Sequence, residues 1–267
     1  MSRSALLAAA IAIGLAAAAP AAAQTRAGPA EASEAWADLS GSLFPGREIA
    51  DAGPMIAIDA PYRAHDAATV PIEIAIAPPE GRSVERFTIV IDENPAPVAA
   101  EIEVGPGLGR DVALSTRVRV DAYSAIRVVA ELDDGSLAQS GVFVKASGGC
   151  SAPAMKGADE ALAAAGQMRL RTFAENGPEA QLMIRHPNHS GFQMDQVTLL
   201  NIPPWFVDVI EVRQGDELVM RVSGGISLSE DPSLRFHYVP NGAPAFAVRV
   251  EDTERGVFAA SFPTAGS

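Results

Sequence analysis

Two long stretches of this chain alternate apolar with polar residues at period two, the spacing that lines one face of a β-strand. In "VPIEIAI" the residues Val70, Ile72, Ile74 and Ile76 fall on one side, and "RFTIVID", "AEIEV", "TRVRVDA" and "VFVK" continue the pattern to Lys145. The segments between them, "APPEG", "DENPAP", "GPGLG" and "DDG", are turn chemistry. Short strands at such spacing predict an antiparallel β-sandwich. Ahead of them "EASEAWADLSGSLFPG" places Trp36, Leu39 and Leu43 at helical spacing and stops at Phe44-Pro45-Gly46, one short amphipathic helix. Alternation resumes near Gln167 in "QMRLRTF", "QLMIR", "WFVDVIEVR", "DELVMRV", "LRFHY", "FAVRVED" and "GVFAASF". The expected architecture is all-β: two sandwiches, residues 31–146 and 167–263, joined by a linker over 147–166 with a short helical turn at Asp159 to Ala165.

The chain begins "MSRSALLAAAIAIGLAAAAPAAAQ", where Arg3 precedes an apolar run that ends in small residues. This is the pattern of a secretory signal peptide over residues 1–23, and it predicts a periplasmic protein. The run is too short to span a bilayer, and the chain's cysteine lies far from the cleavage point a lipid anchor would need. Removing 23 of 267 residues leaves 244 and takes the formal net charge from −13 to −14. So acidic a chain, without a cluster of basic and aromatic residues, is not expected to bind nucleic acid.

The linker "KASGGCSAPAMKG" contains Cys150, the one cysteine of the sequence. In an oxidising compartment a thiol with no partner in its own chain is buried and inert, joined to another molecule, or reactive. Gly148 and Gly149 remove bulk and loosen the backbone, and Ser151-Ala152-Pro153 keeps a strand from continuing, so the tract is expected to give the thiol reach and access. Lys145 and Lys156 would favour the thiolate if they fold near it.

Other motifs read more plainly. "RHPNHSG" brings His186 and His189 together, but no second cluster supplies further metal ligands, and the expectation is a turn with exposed or hydrogen-bonded histidines. "GPGLGR" lies between strands with no helix to follow and reads as a turn rather than a phosphate loop. No Gly-x-Ser-x-Gly elbow is present and no base is close to Cys150 in sequence. The pairs Asp133-Asp134 and Glu230-Asp231 fall in expected turns as solvated carboxylates. Trp36, Trp205 and Phe206 read as core anchors. No metal, cofactor or catalytic residue is assigned.

The segment "WADLSGSLFPGREIADAGPMIAIDAPYRAHDAATVPIEIAI", followed by "IDENPAPVAAEIEVGP", "STRVRVDAYSAIRVVAELDDGS" and "GGC", resembles SoxY, the sulfur-carrying subunit of the periplasmic thiosulfate-oxidising system. The second half, through "IRHPNHSGFQMD", "IPPWFVDVIEV", "SEDPSLRFHY" and "VRVEDTERG", resembles its partner SoxZ. The resemblance implies that each half is an immunoglobulin-like sandwich and that the two pack as a fused counterpart of the SoxYZ heterodimer. It also implies that Cys150 bears sulfur covalently, as a thiosulfonate or persulfide, on a flexible arm supplied by Gly148 and Gly149, with no turnover by the carrier itself. Fused chains of this kind resemble carriers associated with quinoprotein dehydrogenases. In SoxY the cysteine motif ends the chain, typically as Gly-Gly-Cys-Gly-Gly, whereas here a whole domain follows, so a hairpin and not a tail would have to enter a client enzyme.

Two functions follow as expectations. One is a covalent carrier whose clients are Sox-type enzymes, a quinoprotein dehydrogenase or a cytochrome. The other is a binding or assembly module for such a dehydrogenase, with the thiol incidental.

Overall fold

The computed structural model describes residues 25–153, 158–175, 177–196 and 198–264. The expected signal peptide and Lys156 lie outside the described residues. The N-terminal half comprises α1 (Glu34–Leu43), β1 (Ile49–Asp51), β2 (Ile56–Asp59), β3 (Val70–Ile76), β4 (Val84–Ile91), β5 (Val98–Val104), β6 (Val112–Val118), β7 (Ser124–Leu132) and β8 (Leu137–Val144). After α2 (Ala158–Ala164) come β9 (Met168–Phe173), β10 (Glu179–Ile184), β11 (Val207–Gln214), β12 (Glu217–Gly224), β13 (Ser233–His237), β14 (Ala245–Asp252) and β15 (Val257–Pro263). The stretch "GPGLG" forms a single 3-10 turn, Pro106–Leu108.

These strands build two immunoglobulin-like sandwiches, and the two are not beads on a linker. One sheet runs β1-β8-β7-β4-β5-β12-β11-β14-β15 and the other β2-β3-β6-β13-β10-β9, so both layers continue from one half into the other. Antiparallel pairing of β5 with β12 sets Ile102 against Val222, and pairing of β6 with β13 sets Leu114 against Phe236. Between the strands named above the pairing is antiparallel except for β1, which lies parallel to β8. Strand alternation sends Ile72, Ile74, Ile102, Leu114, Val222, Phe236 and Val250 inward, where they form one apolar core spanning both halves. Joining two edge strands also removes two exposed edges that would otherwise template aggregation.

Helix α1 explains why β7 reads as a nearly continuous apolar run. One face of β7 meets the central core; on the other, Val129 packs with Val90, Leu137 and the buried Trp36 of α1. Ser33 caps the helix by accepting the Trp36 N–H at 3.1 Å. The helix is pinned by Arg127, whose guanidinium lies 4.8 Å from the Trp36 ring and whose Nε donates to both oxygens of the buried Asp92 at 3.0 Å.

Candidate functional site

The site forms where β6 runs on beyond Val118, because residues 119–121 are shared by both halves. The Arg119 N–H donates to the carbonyl of Ser227 in the second half at 2.7 Å, and the Val120 N–H donates to the Ala67 carbonyl at 2.9 Å. Asn94, from the "ENPAP" turn, locks this short path: its Nδ2 donates to the Arg119 carbonyl at 2.8 Å and to Ser227 Oγ at 2.9 Å, and its Oδ1 accepts from the Asp121 N–H at 2.8 Å. Asn94 is buried, so each of these bonds satisfies a group that water cannot reach.

The cysteine tract is laid on that path. Gly148 N–H donates to the Asp121 carbonyl at 2.7 Å and Gly149 N–H to the Val120 carbonyl at 3.1 Å. Cys150 N–H donates to Asp121 Oδ1 at 3.1 Å. From the second half, the Ser190 hydroxyl donates to the Cys150 carbonyl and Gln193 Nε2 donates to the Ala152 carbonyl at 2.9 Å. The thiol-bearing residue is therefore clasped between the halves, 1% exposed.

This corrects the expectation of a loose, solvent-reaching tract. Gly149 is required for close packing: a methyl group there would stand 2.7 Å from the Val120 carbonyl oxygen and closer still to that of Ala67. Gly148 adopts the left-handed φ of 77° that turns the chain. Lys145 offers Cys150 no help, since its Nζ sits 4.9 Å from the Tyr62 ring centroid.

Burial dominates the electrostatics. It pushes the Cys150 thiol up from 9.0 to about 12, with the Asp121 carboxylate adding to the rise and the Arg119 guanidinium opposing it. Arg119 is itself 1% exposed and donates through Nη1 to the carbonyls of Ile226, at 3.2 Å, and Leu228. Its burial disfavours the cation, and the Glu230 and Asp66 carboxylates offset part of that. In this closed form the thiol is a poor nucleophile.

The histidines of "RHPNHSG" are buried, not exposed as one of the expected alternatives had it. His186 Nδ1 lies 3.0 Å from Asn188 Oδ1 and 3.1 Å from the Asn188 backbone N, Nε2 lies 3.4 Å from Asp252 Oδ2, and the ring meets Trp205 edge-on at 4.8 Å. His189 turns instead to Gln193 Oε1, 3.1 Å from its Nδ1. Burial lowers both histidines below the usual value, against the pull of Asp252 on His186 and of the Gln193 hydrogen bond on His189. Asp252 is pushed up by burial, but donors from Trp205, Gly256 and His186 outweigh this and hold it low. Among the described residues no three His, Cys, Asp or Glu side chains gather as a metal site.

Two further expectations are corrected. Glu230 is buried at the seam and Asp231 accepts the His186 N–H at 3.0 Å, so that pair is not a solvated turn. Trp205 and Phe206 are half-buried, Trp205 serving Asp252 through Nε1 at 2.9 Å rather than anchoring the core. Asp133-Asp134 does lie in a turn, paired with Arg82. Sequence reasoning missed Asn94, Arg119, Asp121, Ser190 and Gln193 as the residues that hold Cys150. Their signal was only the buried polar character that three-dimensional pairing reveals.

Fold and site thus define a fused pair of immunoglobulin-like sandwiches that share both sheets and close over a single cysteine at their seam. Residues 41–150 match the family of the sulfur oxidation protein SoxY, ending on Cys150, and residues 169–263 match the family of the sulphur oxidation protein SoxZ. The chain belongs to these two families, as a SoxY domain and a SoxZ domain in one polypeptide. Among solved structures it is similar to the sulfur carrier protein SoxY from Chlorobium limicola f thiosulfatophilum, at 26% identity over 41% of this chain and 93% of that one, TM-score 0.33. A superoxide reductase (neelaredoxin) from Ignicoccus hospitalis matches at 11% identity over 40% of this chain and 90% of its own, TM-score 0.29. Comparison with curated proteins gives no match.

Proposed function

We propose that this protein is an exported, periplasmic carrier that bonds a sulfur-containing group to Cys150, as a thiosulfonate or persulfide, and presents it to enzymes that perform the turnover. The observation that carries this reading is the position of Cys150: it is the last residue of the SoxY match, and hydrogen bonds across the seam, not incorporation into a strand, hold it there. Such a tract can lift off without dismantling a sheet, with Gly148 and Gly149 as its hinge. The closed form keeps the thiol neutral and covered; release restores an ordinary, nucleophilic cysteine. Clients are Sox-type enzymes, or a quinoprotein dehydrogenase and its cytochrome. Export rests on the pattern of residues 1–23.

The test is the intact mass of protein taken from the periplasm, with and without reductant, followed by mapping of residues 145–157. A reducible sulfur adduct on Cys150 supports the proposal. A bare thiol together with an unimpaired Cys150→Ser strain refutes it. The burial of Cys150 favours a second reading, an assembly module for the dehydrogenase in which the thiol is incidental. That reading predicts a silent Cys150→Ser and loss of partner copurification when surface residues are changed.

A further inference from the structure

The loop that clasps Cys150 also carries apolar side chains into solvent. Among the described residues eight large hydrophobic side chains are well exposed, and four of them, Phe192, Met194, Leu199 and Leu200, fall within one nine-residue stretch at 47–68% exposure. Scattered single apolar residues need no explanation, whereas a cluster on one loop does. Hydrogen bonds link Asp195 to the residues that follow. Asp195 accepts the Thr198 N–H at 2.7 Å, its carbonyl accepts the Leu199 N–H at 2.9 Å, and its own N–H donates to the Leu200 carbonyl at 2.9 Å. Leu199 is kept at φ 58°, a left-handed backbone that a branched side chain rarely adopts. A turn that needed only to close would place glycine or asparagine there. This one keeps two adjacent leucines in water instead.

The loop is continuous with the seam. Ser190 and Gln193, whose side chains hold the carbonyls of Cys150 and Ala152, alternate with Phe192 and Met194 along the same backbone. Any protein that seats on the apolar residues therefore grips the segment that keeps the thiol shut. Charge selects the occupant. Residues 190–205 contain Asp195 and no lysine or arginine, and the whole chain carries −13, so a second copy would meet like charge.

We propose that Phe192, Met194, Leu199 and Leu200 form the docking surface for a positively charged client protein, and that docking there frees the Cys150 tract by engaging the loop that clasps it. The release part rests on the carrier reading; the docking part does not.

The experiment uses the full chain and the double variant Leu199→Asn with Leu200→Ser, chosen because asparagine tolerates the left-handed turn. Without a partner, the thermal midpoint and the rate of Cys150 alkylation should match wild type. Phe192→Ser, which leaves the turn alone, replaces the double variant if that baseline shifts. Both proteins are immobilised against periplasmic extract of the producing cells at low and high salt, and retained proteins are identified by mass, purified and titrated. The expected result is a basic protein whose binding weakens with salt, binds the variant at least about tenfold less well, and speeds Cys150 alkylation in wild type alone. Equal binding to both proteins, retention of nothing at low salt, or self-association of wild type that the variant loses would overturn the proposal. The mass of Cys150 in the same preparations reports on the carrier reading separately: an absent adduct with docking intact removes that reading and leaves the surface.

Discussion

Alkylation kinetics of Cys150 test the closed seam directly. The docked thiol is held at about 12 against an ordinary 9.0. At roughly 1.4 kcal/mol per pH unit, the three-unit difference is about 4 kcal/mol against forming the thiolate in place. At pH 8 an exposed cysteine is about one part in ten thiolate and the docked one about one part in ten thousand, so the docked thiol attacking in place would react roughly a thousandfold more slowly than the unfolded chain. Reaction then proceeds through opening of the tract, and the rate should climb about tenfold per pH unit straight through pH 9 without the plateau of an exposed thiol. A folded-state value raised this way favours the neutral thiol, so its stabilising contribution is full below the unfolded value and fades as pH rises from 9.0 towards 12. Removing the clasp with Ser190→Ala and Gln193→Ala deletes two hydrogen bonds at about 1 kcal/mol each. Opening should become roughly thirtyfold more frequent and alkylation faster by the same factor, while global stability falls by no more than the same roughly 2 kcal/mol. Stopped samples taken with maleimide and read by intact mass give the rate. Wild-type reaction within tenfold of the unfolded chain, a plateau near pH 9, or an unchanged rate in the double variant would refute the reasoning.

Gly149→Ala should prevent seating altogether, since its methyl would meet the Val120 carbonyl oxygen at 2.7 Å; the alkylation rate should approach that of an exposed cysteine, and the thermal midpoint should fall by the stability that closure supplied. Asn94→Ala strands buried partners on Arg119, Asp121 and Ser227 and should cost about 2–4 kcal/mol in chemical denaturation, with faster alkylation as a secondary effect. His186 and His189 are held below their usual 6.5, so their contribution is full above 6.5 and is lost as pH falls through the lowered folded values. Thermal midpoints measured from pH 7 to 4 should therefore decline first below 6.5, and His186→Gln should flatten the early part of that decline.

Period-two alternation made the strands of both halves legible, and Trp36, Leu39 and Leu43 announced α1, because these signals are local. What was not legible is everything made by pairing across the seam. Nothing in the sequence of β5 marks it as a strand destined for β12 and not for solvent. The "GGC" tract read as loose because glycine permits flexibility and close packing alike; only the nearness of the Ala67 and Val120 carbonyls decides for packing. Glu230-Asp231 read as a solvated turn because carboxylates in turns usually are. Here the turn is folded inward against His186 and the continuation of β6.

Fusion of the two halves changes what kind of client can be served. The arm's fixed end is Lys145, whose N–H donates to the Tyr62 carbonyl at 2.8 Å and whose carbonyl accepts from the Ala64 N–H at 3.2 Å. Five residue steps lead from it to Cys150, so full extension carries the Cys150 Cα at most about 17 Å from that anchor. The reach would be the same if the chain ended just after the cysteine, but the cross-section would not. Because the chain returns to α2, what emerges is a doubled strand, two backbones about 5 Å apart before side chains are added. A narrow tunnel that admits one extended tail excludes it, whereas an open cleft accepts it. The same tether keeps the released tract near its seat, so reclosure is intramolecular. An open cleft holds a hairpin less tightly than a tunnel holds a tail. The apolar display beside the seam supplies the affinity that the thickened arm gives up.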